Sequence, residues 1–533
     1  RDLHSFPTRR SSDLEEKSNV GGVMAQLDKT FPTNDCSSCM MGPKLAELAS
    51  HPDIEILAYT EVLRVDGQPG RFQLTLKKKA RAVDPEKCVA CNICADKCPS
   101  KVSDPFNLYL NLLKAIYIPY PQAVPLVYTI DKENCRYFTK GKCRICEKVC
   151  KNKAVSFDQK DEIIQLDTGA VILAGGFELF NARLKGEYGY GRWPNVITSL
   201  EYERILSAAG PYRGRIQRIS DGTPPRRIAW IQCVGSRDSH IGQAYCSSVC
   251  CMSATKQAII TKEHAGQIET SIVFIDMRAH GKGLDRFYER SRAENGVRYV
   301  RSLISRVVPN PEDDTLSISY ATPDHHLQEE TVDMVVLSVG LRPNVSTVKL
   351  TERLGLPLND YGFCASDPLD LVTTANPGIY VCGAAQSPKD IPDSVQQGSS
   401  AAAQATALLA DARGSQVAAP FSHEERDVSG EAPCIGVFVC HCGINIASVV
   451  DVNAVAEFAR NLPHVKYATG CMFACSTDQL QEIKQAIKAH GLNRVVVASC
   501  SPRLHEKTFQ GACQRAGLNP YLFQMASVRE QVS

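Results

Sequence analysis

Aromatic residues are scarce in this chain, 7% with only two tryptophans, and charge of one sign is nearly absent, since 60 basic against 58 acidic side chains leave +2. That balance argues against a nucleic-acid-binding surface or a polybasic membrane anchor. No run of 18 or more apolar residues occurs. The most lipophilic stretches, 228–234 and 332–339, are strand-sized and bounded by charge, so no membrane span is expected. No Gly-x-Gly-x-x-Gly stands between a strand and a helix, so the usual dinucleotide phosphate cradle is not visible. What is abundant is cysteine: 23 residues, mostly at two- and three-residue spacings and without a signal-peptide pattern. Such clustering reads as metal ligation in a reducing, cytoplasmic compartment, not as a secreted disulfide framework. A length of 533 residues fits about three domains.

Residues 1–14 are polar, basic and aperiodic, and their string HSFPTRRSSDL resembles translated sequencing-adapter sequence. They are expected to be non-native and outside the fold. The other end stops at Ser533 soon after a domain-like pattern has begun, so the chain is expected to be a fragment of a longer protein. Between the ends, a helix is expected over 43–50 and strands over 54–59, 72–76, 163–165 and 170–173. A second α/β block is expected to hold strands at 227–233, 271–276 and 334–339 and a helix over 254–264. A helix of small side chains over 398–412, a polar linker over 417–433 and strands at 435–440 and 494–499 complete the reading. Apolar runs of four to eight residues separated by helices are what a parallel sheet covered on both faces produces.

The strongest motif is Cys88-x2-Cys91-x2-Cys94-x3-Cys98-Pro99, the spacing of a bacterial-type ferredoxin, in which the fourth cysteine serves the neighbouring cluster. A partner run follows, Cys135-x7-Cys143-x2-Cys146-x3-Cys150. The crossing rule assigns Cys88, Cys91, Cys94 and Cys150 to one 4Fe–4S cluster, and Cys135, Cys143, Cys146 and Cys98 to another. A pair of all-cysteine zinc sites is the competing reading, although zinc ribbons favour separated C-x2-C hooks. A second constellation is Cys233, Cys246, Cys250 and Cys251, drawn to a strand end and a helix N-terminus that favours thiolate. The bland alternative there is a group of buried small hydrophobes. A third set is Cys440, Cys442, Cys475 and Cys500, with Cys471 and Cys434 nearby. Cys440 and Cys500 both close apolar strands, and a parallel sheet would bring them to one edge. Core cysteines of that sheet are the alternative. Cys36-x2-Cys39 reads as a redox pair, a partial ligand set or loop structure. His280, His325 and His326 read as surface residues.

Three pieces stand in the order of a two-dinucleotide-fold flavoprotein. Glu16 to Gly21-Gly22 resembles the second-strand end where an acid bonds the adenosine ribose, and Ala174-Gly175-Gly176 resembles the strand returning to the cofactor. Gly378 to Gly383-Ala384 resembles the closing strand, with Ala384 where many such enzymes place an aspartate. Together they make FAD the expected cofactor. The second block ends its strand in Gln232-Cys233-Val234-Gly235-Ser236-Arg237, with thiols where phosphate would lie, so weak or no NAD(P)H binding is expected.

Thr30-Phe31-Pro32-Thr33-Asn34-Asp35-Cys36, the ferredoxin insert, Cys233 to Asp238, Cys250 to Lys256 and Ala384 to Pro392 resemble the iron–sulfur flavoprotein component of CoB–CoM heterodisulfide reductase, the HdrA family. The final unit, with Cys440-His441-Cys442-Gly443 and Ser499-Cys500-Ser501-Pro502-Arg503, is similar to the N-terminal domain of the same family, as in a tandem protein. The resemblance implies an α/β fold: a thioredoxin-reductase-like flavoprotein with two dinucleotide-binding domains and an inserted two-cluster ferredoxin domain, followed by a further Rossmann-like domain. The FAD-binding domain would take 15–81, 156–225 and 346–416, the insert 82–155, the second dinucleotide-binding-like domain 226–345, and the last domain 434–533. It implies an oxidoreductase component that passes, or bifurcates, electrons between FAD and 4Fe–4S clusters. The partners implied are other heterodisulfide-reductase-like subunits and hydrogenase or formate dehydrogenase type donors, in a hetero-oligomer without nucleic acid. It implies support for the Cys233 set as a cluster site and places Lys256, with Glu203 as a weaker candidate, beside the flavin ring. The competing readings are an electron-transfer scaffold with a vestigial flavin site and a zinc-dependent interaction protein. With its first strand and phosphate loop expected to be missing, the chain itself is expected to bind FAD poorly.

Overall fold

The computed structural model describes residues 11–51, 53–322, 324, 326–415, 424–443 and 445–532. Most of the segment 1–14, part of the 417–433 linker, and His325 lie outside the described residues.

The flavin half is assembled from distant pieces of chain. Ser11–Glu15 pairs in parallel with Ile54–Ala58, and Val171–Leu173 with Ile379–Val381. An antiparallel sheet of Thr60–Gln68, Arg71–Lys78 and Glu162–Thr168 lies against them. Along Arg71–Lys78 the side chains of Phe72, Leu74 and Leu76 are buried while Arg71 and Gln73 are exposed, the period of two that one covered face imposes. Ser11–Glu15 begins inside the stretch expected to stand outside the fold. A parallel ladder is made by backbone groups, so it forms whatever the side chains' origin, and Leu14 also packs on the core of Leu57, Leu74 and Leu173.

The second block holds an all-parallel sheet in the order Val196–Thr198, Met334–Val339, Arg227–Val234, Glu269–Phe274, Arg298–Arg301. All six residues of Met334–Val339 are buried, as expected of a strand with both faces covered. Val196–Thr198 comes from 156–225, the stretch expected in the flavin half, so that boundary falls earlier in the sheet than in the sequence reading. An antiparallel trio, Ile304–Pro309, Leu316–Ala321 and Leu327–Val332, projects from this block.

The insert carries two short helices, Ile93–Asp96 and Ile145–Val149, packed on each other, and two small ribbons, Lys101–Ser103 with Leu112–Lys114 and Ile116–Tyr117 with Thr129–Ile130. The last unit is a parallel sheet ordered Val465–Cys471, Ile435–Cys440, Arg494–Ser499, Phe523–Ser527. Its helix Pro502–Arg515 packs on Ser37–Ser50 of the flavin half. No helix among the described residues is long and apolar enough to cross a membrane.

Candidate functional site

In the insert, Cys94 and Cys146 sit on the two packed helices, and burial pushes each thiol up to about 12. Cys88 and Cys91 act electrostatically on Cys94, and Cys135, Cys98 and Cys143 on Cys146. Cys98, Cys135, Cys143 and Cys146 line one pocket floored by Ile116, Ile130 and Phe157. Cys98 therefore leaves its own run and joins the second, as the spacing predicted. Cys150 accepts the Ala154 N–H at 3.2 Å. The donor set fits iron–sulfur ligation, because crowded neutral thiols in an apolar pocket become favourable once a metal takes their protons.

In the second block Cys233 closes its strand with φ of 61°, a left-handed conformation that turns the chain sharply at the strand end. Cys250 and Cys251 are the first residues of the helix Cys250–His264, which starts four residues before the expected 254. Apolar periodicity begins only at Ala254, so the cysteine turn gave no helical signal. Burial raises the pKa of Cys233, raises that of Cys250 far above the usual thiol range, and takes Cys251 to about 11; Cys233 and Cys246 contribute to both of the latter shifts. The four predicted thiols thus stand together.

Lys256, on the same helix, is buried, and its ammonium pairs with Glu203 and donates to the Lys29 carbonyl at 2.8 Å. Glu203 also accepts from Gln257 at 2.5 Å and from the Asp28 N–H at 3.0 Å. The two residues expected near the flavin are thus each other's partner. Asp28, which the sequence reading missed, completes the group: burial, reinforced by Glu203, lifts its carboxyl to about 7, and its Oδ2 has no hydrogen-bond partner.

Among the expected flavin contacts, Gly22 and Gly176 have φ of 53° and 66°, and a Cβ at either would meet nothing within 4 Å. Open space over left-handed glycines is what close approach of a cofactor requires. Gly21 and Gly175 are glycine for packing reasons, since a Cβ would strike Tyr120 at 2.5 Å and Thr347 at 1.9 Å. Glu16 is exposed and ion-pairs with Lys79 at 3.7 Å. Gly383 donates its N–H to Gln397 at 3.0 Å, and Ala384 is buried. These residues fit a flavin at the backbone level.

Cys440, Cys442, Cys475 and Cys500 converge at the carboxyl edge of the last sheet, as predicted, with Cys471 the register partner of Cys440. They line a cleft of about 590 Å³ whose opposite wall is Cys36, Cys39 and Asp28. The Cys36-x2-Cys39 signal was visible in sequence, but nothing local linked it to a sheet more than 400 residues away. His505, also missed, sits in this cleft with both ring nitrogens buried and unpartnered.

Residues 129–402 match the family model described as pyridine nucleotide-disulphide oxidoreductase, and residues 81–102 match the 4Fe–4S binding domain. The chain is 43% identical over 397 residues to the A subunit of H(2):CoB-CoM heterodisulfide,ferredoxin reductase from Methanothermobacter marburgensis, covering 74% of this chain and 59% of that one. It is 42% identical over 444 residues to the iron-sulfur A subunit of CoB--CoM heterodisulfide reductase from Methanocaldococcus jannaschii, covering 82% and 66%. The chain thus spans about three fifths of these relatives' length. Thioredoxin reductase of T. acidophilum superposes with a TM-score of 0.39 at 14% identity, covering 75% of this chain and 90% of that one, too slight a likeness to argue from.

Proposed function

From the premise that the chain belongs to the pyridine nucleotide-disulphide oxidoreductase family and is a homologue of the iron–sulfur A subunits of CoB–CoM heterodisulfide reductase, we propose that it is a flavin hub wired to iron–sulfur centres in a heterodisulfide-reductase-like complex. FAD, when bound, supplies the exchange between paired and single electrons, and 4Fe–4S clusters supply single-electron steps. The chain's part is placement. Gly22 and Gly176 leave room for a cofactor, with Glu16, Gly21, Gly175, Gly383 and Ala384 around the proposed site. Cys88, Cys91, Cys94 and Cys150 would hold one cluster, and Cys98, Cys135, Cys143 and Cys146 a second. Cys233, Cys246, Cys250 and Cys251 would hold a third centre, and thiols of the last unit a fourth. Lys256 and Glu203 form a buried charged pair that would hold a cation near the flavin and tune it; thiols at the strand end disfavour NAD(P)H in the second block. The partners proposed are other subunits of such a complex and a hydrogenase or formate dehydrogenase type donor.

The observation that carries this reading is Cys98 in one pocket with Cys135, Cys143 and Cys146. Zinc hooks have no reason to exchange ligands between runs, whereas a two-cluster ferredoxin does. The test is anaerobic iron, sulfide and flavin content with electron paramagnetic resonance after stepwise reduction. Cys98→Ser is expected to remove the signal of the cluster held by the second run, about four iron per chain, and leave the first. Stoichiometric zinc without sulfide in the parent chain would sink the reading.

A further inference from the structure

The cleft at the edge of the last sheet holds more thiols than one metal centre needs, and their geometry separates them. Cys36 caps the helix Ser37–Ser50, its Sγ accepting the Cys39 N–H at 3.3 Å, and the two thiols are 2.7 Å apart. Across the cleft Cys442 and Cys500 stand 3.9 Å apart, and the sulfurs of Cys39 and Cys500 lie with a ring nitrogen of His505 inside 4.8 Å of one another. Cys440 turns the other way: its Sγ accepts from the Cys442 and Ala474 N–H groups at 3.2 and 3.3 Å and faces Cys471.

We propose that Cys36 and Cys39 of the flavin half and Cys442 and Cys500 of the last unit form one thiolate metal site shared between the two. Tetrahedral thiolates about 2.3 Å from a zinc ion stand about 3.8 Å from each other, and a cube of iron and sulfide accepts the same four ligands at wider spacing. The Cys442–Cys500 separation matches the first case, and the cleft has room for the second. The shared chemistry is a thiophilic cation centre. A second, independent observation points to a ligand here. His505 is 1% exposed with neither ring nitrogen paired, although buried imidazoles are normally hydrogen-bonded. A bound centre would give that ring its missing partner. Arg529 also donates to Cys39 at 3.5 Å, which suits a site collecting negative thiolates. The consequence is mechanical as well as chemical, for a metal held by both bodies would lock Ser37–Ser50 to Pro502–Arg515, helices already in contact.

The inference rests on the reading that the last unit's thiols hold a metal centre, and it names which thiols complete it. The test compares Cys36→Ser/Cys39→Ser, Cys442→Ser/Cys500→Ser and Cys440→Ser/Cys475→Ser in the full chain, measuring iron, zinc and sulfide after anaerobic purification. The first two variants are expected to lose the same centre, either about one zinc or about four iron with sulfide per chain, and the fourfold variant to lose no more. That identity also decides between zinc and a cube. Retention in Cys36→Ser/Cys39→Ser with loss in Cys440→Ser/Cys475→Ser would overturn the shared site while sparing the last unit's centre. Retention in all three would overturn both. A second measurement needs no variant: in the parent chain, iodoacetamide should label Cys36, Cys39, Cys442 and Cys500 together and only after chelation. Labelling of Cys36 and Cys39 before chelation also overturns the shared site.

Discussion

Asp28, Glu203 and Lys256 place two carboxyl groups and one ammonium in a space that water scarcely enters. Two carboxylates against one cation leave a buried negative charge, and the chain avoids it by keeping a proton on Asp28, whose pKa burial raises to about 7. An acid that holds its proton in the folded state after the unfolded chain has lost it stabilises the fold fully below its unfolded value near 4. That contribution is lost as pH rises through about 7. Asp28→Asn, uncharged at every pH, is therefore expected to be more stable than the parent at pH 8 by about 2–4 kcal/mol and to lose that advantage by pH 4. Denaturant midpoints of the flavin-half transition at the two pH values check this, and parallel pH profiles for both proteins would refute it. Arg204 shows another buried charge handled differently. It donates to Asn107 of the insert, to the Gln26 carbonyl and to the Ala209 carbonyl, and it lies 5.0 Å over the Phe106 ring. Burial lowers its pKa to about 10, which still leaves it charged at neutral pH.

Glu203 and Arg204 are delivered by one short helix, Ser199–Leu206, buried at every residue after the first. Thr198 begins it with a reciprocal cap: its Oγ1 accepts the Glu201 N–H at 3.4 Å, while Glu201 accepts the Thr198 N–H at 2.6 Å. A helix of eight residues has little stability of its own, so the cap and the packing both matter. Thr198→Ala is expected to cost about 1 kcal/mol and, by loosening the first turn, to weaken the Glu203–Lys256 pair. Thermal unfolding reads the first effect, and the solvent protection of the Lys256 amine against acylation reads the second. At this scale the sequence was legible where a strand is apolar on both faces, as at Arg227–Val234 and Met334–Val339, because no other element makes such a run. It was not legible at Thr60–Gln68 or in the trio from Ile304 to Val332. Those strands carry charged residues on an open face, and their identity depends on a neighbour across a turn. The cysteine motifs were legible because metal ligation fixes residue type and spacing together. Asp28 and His505 were not, because a single acid or histidine has meaning only from what surrounds it.

Across the molecule, the insert differs from the other units in what holds it together. Its core is small, built on residues such as Val83, Ile116, Ile130 and Phe157, and its cysteines are part of it. Domains with so little apolar volume lean on covalent or metal links. Removal of iron by a chelator under oxidising conditions is expected to open 82–155 to limited proteolysis well before the parallel sheets of the second block or the last unit. Simultaneous cleavage everywhere would contradict that order. Local spacing by itself determined the ferredoxin ligands, the parallel character of the buried strands and the family resemblance, because each depends on residues near one another along the chain. Only the tertiary structure brought Cys36 and Cys39 to Cys442 and Cys500, set Glu203 on Lys256 and left Asp28 holding a proton. Those relations depend on how separate elements pack, and packing is settled by the summed burial of many side chains, which no local pattern contains.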